Sequence, residues 1–356
     1  MKPLSLLQRD IFGQIGAKDL IIISRQLATM IKAGVPIVQS LRMIIRQIKK
    51  ETARRMITQI IQDIEGGSSL SRALTRYPHV FSPFYVSVVR AGEASGRLTY
   101  ALNALADYQE QNYLFIRKIR AALSYPGLIL IAIVIVVIVV FTVIMPQLVN
   151  IFADADVELP FATRLVIGVA NFFQAYWLII SLVGVVLALI ARSYFKTPDG
   201  RYVASTLVLH LPVLKNLFSK IYLTRLTSIL HTLFDSDVPV LESLRLAEQS
   251  IGNRVYQRIL RDTATAVKDG VPISSVWEHE PFIPPLLTAV VGVGEKSGEV
   301  SQAFAEAKKF FQRDVEDTLN TITVLLEPLM VVVLGLGVGF VVAAVLLPIY
   351  NLVLVI

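Results

Sequence analysis

The chain contains no cysteine among its 356 residues. A disulfide framework, a thiolate metal site and a cysteine nucleophile are therefore excluded. Charged residues are also scarce, at 17% of the chain against 54% hydrophobic residues. This balance is too apolar for an ordinary soluble domain and too charged for a pure membrane bundle. We therefore expect a membrane protein with large aqueous parts.

Histidine occurs only four times, at His79, His210, His231 and His279. These residues are isolated, and no two of them have the spacing of a metal-binding pair. No loop carries ordered acidic ligands of the kind that Ca²⁺ or Mg²⁺ requires. The sequence therefore predicts no catalytic residue, no metal site and no cofactor.

The first 20 residues have no apolar core of the kind found in a signal peptide, because charged and amide side chains interrupt them. We therefore expect a cytoplasmic N-terminus. Positive charge is concentrated in residues 1–120, with 18 Lys and Arg against 8 Asp and Glu. Since this charge lacks interleaved aromatic residues and any nucleic-acid reader motif, it favours anionic lipid headgroups and not nucleic acid as its partner.

Three long apolar runs each have roughly the length of a membrane-spanning helix. They extend from Gly127 to Met145, from Val169 to Ile190 and from Leu329 to the C-terminus. Basic residues before the first run and after the second, with acidic residues between them, predict that the connecting loop is external. A cytoplasmic N-terminus then places the C-terminus outside.

The remaining sequence predicts two cytoplasmic helical bundles. Residues 19–33, 37–49 and 52–64 carry apolar side chains at helical spacing, and glycine and proline separate the runs. No stretch shows the alternation of a strand. The predicted fold is an all-α membrane protein with two homologous bundles and three transmembrane helices. Its predicted parts are an N-terminal segment (1–18), bundle 1 (19–122), transmembrane helix 1 (123–148), an external loop (149–168), transmembrane helix 2 (169–191), bundle 2 (192–325) and transmembrane helix 3 (326–356).

An internal duplication underlies these two bundles. VPIVQSLR at 35–42 corresponds to VPVLESLR at 238–245, an offset of 203 residues. AGEASGRL at 91–98 corresponds to VGEKSGEV at 293–300, an offset of 202. The prolines Pro126 and Pro328 share the second offset. A whole unit of bundle and span has therefore been duplicated, with one residue lost in the second copy ahead of the octet.

The duplicated octet is expected to form a tight corner between two helices. Gly92 and Gly294 suit a left-handed cap at the end of one helix, and Ser95 and Ser297 suit the N-cap of the next. The glutamates would then lie near the positive end of that following helix. A contact with a partner protein is the alternative role for the motif. Its predicted residues are Gly92, Glu93, Ser95, Gly96, Gly294, Glu295, Ser297 and Gly298.

These motifs resemble the type II secretion F family, the inner-membrane platform proteins of type II secretion and type IV pilus assembly (GspF/PilC-like). The resemblance rests on RQLATMIKAGVPIVQSLR (25–42), the two octets, LPVLKNL (211–217) and LLEPLMVVV (325–333), in the family's order. One departure is Asp237, which stands where the first repeat has Gly34. A second is Lys215, which stands where the family often has glycine.

The resemblance implies a homo-oligomeric scaffold in the bacterial inner membrane that is not itself an enzyme. It would couple a cytoplasmic secretion ATPase to the assembly of pilin or pseudopilin subunits, alongside other inner-membrane components. Arg42, Arg54 and Arg97 are candidate contacts for that ATPase. GVGEKS at 292–297 is not a phosphate loop, because the spacing of glycine and lysine is wrong and the first repeat has Ala94 in place of the lysine.

The alternative function is a membrane transporter or permease built from two parallel repeats. It is disfavoured because the first apolar run carries no polar residue at its middle. A membrane enzyme is a further alternative, which would need a cluster of acid, base or metal-binding groups.

Two features remain near and within the third apolar run. Glu327 directly precedes Pro328 at the membrane edge, as an interfacial carboxylate or as a polar contact that fixes the helix or meets a partner span. Pro126 is the corresponding membrane-proximal proline of the first repeat. Gly335 and Gly339 form a Gly-x3-Gly pattern that indicates close helix packing, within one subunit or between subunits.

Overall fold

The computed structural model describes residues 16–48, 50–139 and 214–355, with isolated positions between 168 and 200. These residues are helical, and they include no strand. The twelve helices of the two long described stretches are α1 (Ala17–Lys32), α2 (Ile37–Gln47), α3 (Glu51–Glu65), α4 (Leu70–Thr75), α5 (Pro83–Ala94), α6 (Leu98–Val139), α7 (Leu214–Asp235), α8 (Val240–Ile251), α9 (Arg254–Lys268), α10 (Ile273–Trp277), α11 (Pro285–Ser297) and α12 (Val300–Val355).

The second six helices repeat the first six in order and in their turns. Helices α3 and α9 both have 15 residues, and Pro36 and Pro239 are the N-caps of α2 and α8. Gly67 and Gly270 both have positive φ, at 88° and 84°. The predicted all-helical fold and the internal repeat are thus confirmed. Predicted transmembrane helix 1 lies partly outside the described residues, and predicted transmembrane helix 2 lies almost wholly outside them.

The helices form where apolar residues recur at helical spacing. In α3 the buried side chains are those of Ala53, Met56, Ile57, Ile60 and Ile61, which form one face of the helix. Helix α9 buries the corresponding face. Its N-cap is Asn253, whose side-chain oxygen accepts the N–H of Val255 at 2.9 Å.

The chain divides into two compact units. Residues 1–117 and 205–315 make up the first, so that the helical bundles of both repeats lie in one unit. Its core includes Tyr256, Trp277 and Phe304, which are fully buried. The indole N–H of Trp277 donates to Thr263 Oγ1 at 2.9 Å, which satisfies the polar atom of this buried ring.

Residues 118–204 and 316–356 make up the second unit. Within it, Lys118 of α6 and Glu316 of α12 form an ion pair at 2.7 Å. Large aliphatic side chains, including Leu128 and Leu336, are about two-thirds exposed. In the described part of the chain, one helical stretch, Val300–Gly339, is long and apolar enough to cross a membrane.

Candidate functional site

Each octet lies at the corner between two helices. The first joins α5 to α6, and the second joins α11 to α12. The corner that the sequence predicts is therefore present in both repeats, but its residues have different roles from those expected.

The glutamate of each octet holds the start of a short helix from the preceding part of its repeat. Glu93 accepts the backbone N–H groups of Leu70 and Ser71, at 2.6 and 3.1 Å. Glu295 accepts those of Ile273 and Ser274, at 2.5 and 3.0 Å, and also the Ser274 hydroxyl. We call each of these arrangements a carboxylate clamp.

The clamps correct the predicted position of the glutamates. Both carboxylates lie at the N-termini of α4 and α10, the short helices before α5 and α11, and not at the start of the helix that follows the octet. The first N–H groups of a helix have no partner within the helix, and its N-terminus carries partial positive charge, so an anion is stabilised there. Because the acceptor is ionised, these hydrogen bonds are stronger than neutral ones.

The predicted left-handed caps at Gly92 and Gly294 are wrong. Both residues are buried within α5 and α11, and the positive φ values belong to Gly96 (70°) and Gly298 (77°). Glycine is needed at the first pair for space. A Cβ on Gly92 would lie 2.4 Å from the Cβ of Ala101, and one on Gly294 would lie 2.6 Å from that of Ala303.

The predicted N-caps at Ser95 and Ser297 are also wrong. Ser95 is the C-cap of α5, and its hydroxyl donates to the carbonyl of Ala91 at 2.8 Å. Ser297 is the last residue of α11, and its hydroxyl lies 3.3 Å from the carbonyl of Gly294. Both hydroxyls therefore bond to carbonyls in the last turn of the first helix.

The two repeats meet through polar side chains next to the first octet. Tyr100 of α6 donates its hydroxyl to Asp235 at 2.7 Å, and this hydrogen bond raises the pKa of Tyr100 to about 12. Ser87 of α5 donates to Glu242 at 3.3 Å. Arg97 pairs with Asp237, and its guanidinium lies 4.6 Å from the centre of the Tyr100 ring. We call these contacts the inter-repeat contact.

Two further groups near this contact have shifted pKa values. Burial lowers the pKa of His231, whose Nδ1 lies 3.2 Å from the carbonyl oxygen of Ser301. Burial likewise lowers the pKa of Lys308, whose ammonium donates to Gln111 of the first repeat. Sequence reasoning missed this cluster, since its members come from both repeats and share no motif.

The three candidate ATPase-binding arginines lie in different surroundings. Arg42 forms an exposed ion pair with Glu65 at 2.6 Å, and Arg54 lies 3.8 Å from Glu51 in the same helix. Both arginine side chains remain more than half exposed. Arg97 instead belongs to the inter-repeat contact, so its charge already has a role within the chain.

The membrane-proximal prolines lie inside long helices. Helix α6 continues through Pro126, and α12 continues through Pro328 with Glu327 exposed beside it. Gly335 and Gly339 are exposed, and no atom of the described residues lies within 4 Å of a Cβ placed on either. Within the described residues, no side chain packs against this glycine face.

No group of three or more His, Asp or Glu side chains that could hold a metal ion occurs in the described part of the chain. Burial raises the pKa values of Tyr85 and Tyr256 to about 12, and these tyrosines lie within packed helices. Both repeats contain a carboxylate clamp, which fixes one helix to another. Fold and site together define a duplicated helical scaffold with an apolar helix long enough to span a membrane.

Comparison with known proteins specifies that class. The model of the family "Type II secretion system (T2SS), protein F" matches residues 23–146 and again residues 226–348, once for each repeat. The chain belongs to this family.

Relatives in both branches of the family are similar over almost the whole chain. The type IV pilus assembly protein PilC of Thermus thermophilus is 36% identical over 339 residues, which cover 95% of this chain and 83% of that protein. TapC, a type IV pilus assembly protein of Aeromonas hydrophila, is 32% identical over 97% of this chain and 84% of its own length. Type II secretion system protein F of Pseudomonas aeruginosa is 31% identical over 95% of this chain and 84% of that protein.

Proposed function

We propose that this protein is the inner-membrane platform of a type IV pilus or type II secretion machine. It couples a cytoplasmic ATPase to the assembly of pilin or pseudopilin subunits, in contact with other inner-membrane components. Family membership carries this proposal, together with relatives whose names assign them to pilus assembly and to type II secretion. It acts as a homo-oligomer and has no catalytic step of its own.

The geometry supports a transmitting role. Two octet corners fix short helices by carboxylate clamps, and α6 and α12 then extend for 42 and 56 residues. A helix rises about 1.5 Å per residue, so a displacement at the bundle end of such a helix is carried over several tens of ångströms. We propose that partner binding at the bundles is transmitted along these two helices.

Deletion and complementation test the proposed function. Loss of the gene should abolish surface pili or secretion, while the pilin precursors are still processed and the ATPase is still present. The wild-type chain should restore assembly. Normal filaments and normal secretion in the deletion strain would contradict the platform role, and retained assembly with a lost small-molecule flux would favour the transporter.

The proposed topology places both bundles in the cytoplasm, with three spans and an external C-terminus. Because the chain has no native cysteine, only an introduced thiol reports its own side of the membrane. Cysteine at Asp156 or Ile356 should react with an impermeant maleimide from outside. Cysteine at the exposed Ser69 or Ser275 should react only after permeabilisation, and external labelling of Ser275 would overturn the topology.

A further inference from the structure

The inter-repeat contact uses two different surfaces. The first repeat supplies a receiving face on α5 and α6, formed by Ser87, Arg97 and Tyr100. The second repeat supplies an inserting corner between α7 and α8, formed by Asp235, Asp237 and Glu242. Since each repeat has both elements, each chain contains a second copy of both surfaces.

The second copies are found by the offsets between the repeats. The receiving face of the second repeat consists of Ala289, Glu299 and Gln302, 202 residues after its counterparts. The inserting corner of the first repeat consists of Lys32, Gly34 and Gln39, 203 residues before its counterparts.

Among the described residues, the second copies differ from the first in exposure at two apolar or small positions. In the receiving face, Ser87 is 7% exposed, whereas its counterpart Ala289 is exposed. In the inserting elements, Leu246 is 6% exposed, whereas its counterpart Met43 is 40% exposed. At Ser87 and Leu246 one copy of each surface is therefore covered, while most of the charged and tyrosine side chains around them stay exposed. The second copy is exposed at both equivalent positions, and we call it the open copy.

The open receiving face is an apolar groove with an acidic rim. It encloses about 340 Å³ between α11 and α12, and its lining includes Ala289, Val293, Glu299 and Glu306. Val293 is 67% exposed. Exposed apolar surface bordered by polar residues is typical of a protein interaction site.

Charge selects the partner of this groove. Within the chain, a basic receiving face with Arg97 meets an acidic corner with Asp235 and Asp237. In the open copies the signs are exchanged, because Glu299 lies on the receiving face and Lys32 lies on the inserting corner. The two open surfaces are thus complementary to each other, as opposed patches in a specific interface are.

We propose that the open receiving face of one chain binds the open inserting corner of a second copy of this chain. This contact between chains would have the same geometry as the inter-repeat contact within each chain. It is heterologous, because each chain contributes a different surface, so successive chains join head to tail and close into a ring or extend. The proposal specifies the contact of the homo-oligomer proposed above.

Cysteine crosslinking of the full chain in native membranes tests this contact without requiring pilus or secretion activity. The test pair is Ala289→Cys with Gln39→Cys, the counterparts of Ser87 and Glu242. A short bifunctional thiol reagent is used, because a disulfide forms only within a narrow range of Cα–Cα distances and Cβ orientations, which contact between two side chains does not ensure. The pair in one chain should give a ladder of covalent oligomers, and the two single variants co-expressed should give dimers only.

Three controls make the result decisive. Ser87→Cys with Glu242→Cys should crosslink within the chain and leave its mass as a monomer. Ala289→Cys with Arg55→Cys, on the exposed face of α3, should give no ladder. Each single variant alone should remain monomeric, since a heterologous contact does not place identical residues together.

A charge exchange tests the proposed complementarity. Lys32→Glu should lower the crosslinking yield of the test pair about threefold or more, and adding Gln302→Lys should restore it. A monomeric test pair alongside an effective internal control would overturn the proposal. Efficient self-crosslinking of Ala289→Cys alone would also overturn it, because the contact would then be isologous.

Discussion

Arg97 in the first repeat forms an ion pair with Asp237 in the second, and Asp237 is the one non-glycine residue with positive φ (59°) among the described residues. The first repeat has Gly34 at the corresponding position, with φ of 81°. The second repeat therefore keeps the left-handed turn but uses a residue with a carboxylate, which reaches the other repeat.

This relationship predicts a ranking of substitutions at Asp237. Asp237→Ala loses the ion pair and keeps an unfavourable φ, so it should destabilise the chain by about 1–2 kcal/mol. Asp237→Gly loses the same exposed pair but relieves the backbone, so its net effect should stay within about 1 kcal/mol. Thermal unfolding in detergent, followed by circular dichroism, measures both. Equal destabilisation by the two substitutions would mean that the carboxylate, and not the backbone, decides stability here.

The carboxylate clamps predict that replacing either glutamate by glutamine, a side chain of nearly the same size, destabilises the chain. Glu93→Gln or Glu295→Gln removes the negative charge and sets an amide NH2 against backbone N–H donors. Each should destabilise the chain by about 1–3 kcal/mol, since part-buried donors lose their acceptor. Glu278→Gln, at an exposed position after α10, is the matched control and should change stability by less than about 0.5 kcal/mol. Clamp variants as stable as this control would refute the clamp.

The two glycines of the first octet should respond differently to a compensating change. Gly92→Ala inserts a Cβ into Ala101 and should destabilise by about 1–3 kcal/mol. Gly96→Ala adds a Cβ in open space, but alanine is strained at positive φ, so this substitution should destabilise the chain by about 1–2 kcal/mol. Adding Ala101→Gly should recover part of the first loss and none of the second. A double-mutant cycle measures this coupling, and equal recovery for both glycines would contradict the assigned roles.

His231 should make stability fall with acidification. Burial holds its pKa below the ordinary value of 6.5, so on lowering the pH the unfolded chain binds the proton before the folded chain does. Stability is therefore lost as the pH falls from about 7 through 6.5 towards the lower folded-state pKa. Thermal unfolding across this range should show a shallower pH dependence of the unfolding temperature for His231→Gln than for the wild-type chain. An unchanged slope in His231→Gln would contradict the assignment.

Local patterns predicted the helices and the corners but not the contacts that hold them. The spacing of Met56, Ile57, Ile60 and Ile61 predicts α3, because these residues are close in sequence and form the buried face of that one helix. The partners of Glu93 lie 22 and 23 residues earlier, where no local pattern points to them. A glycine at the same position of both repeats, moreover, indicates only that a side chain is disfavoured there. It does not separate the crowding at Gly92 from the backbone requirement at Gly96.

The duplication could be predicted, but its asymmetry could not. Arg97 and Glu299 occupy equivalent positions with opposite charge, and only the structure shows that the first of them meets Asp237. Assigning Arg97 to ATPase binding from its charge alone therefore overlooked a partner within the chain. Arg42 and Arg54 remain the better candidates, because their ion pairs lie within the first repeat and do not join it to the second.

Binding of the cognate ATPase to the full chain in lipid nanodiscs tests the platform account most directly. A partner shifts a conformational equilibrium only if it binds the alternative states with different affinity, so the account predicts an affinity that changes with the nucleotide on the ATPase. Arg42→Glu and Arg54→Glu should weaken this binding with only a small decrease in the unfolding temperature, because their ion pairs with Glu65 and Glu51 are exposed. The pure chain should release no phosphate from ATP. Equal affinity in every nucleotide state, or steady ATP hydrolysis by the pure chain, would contradict the account.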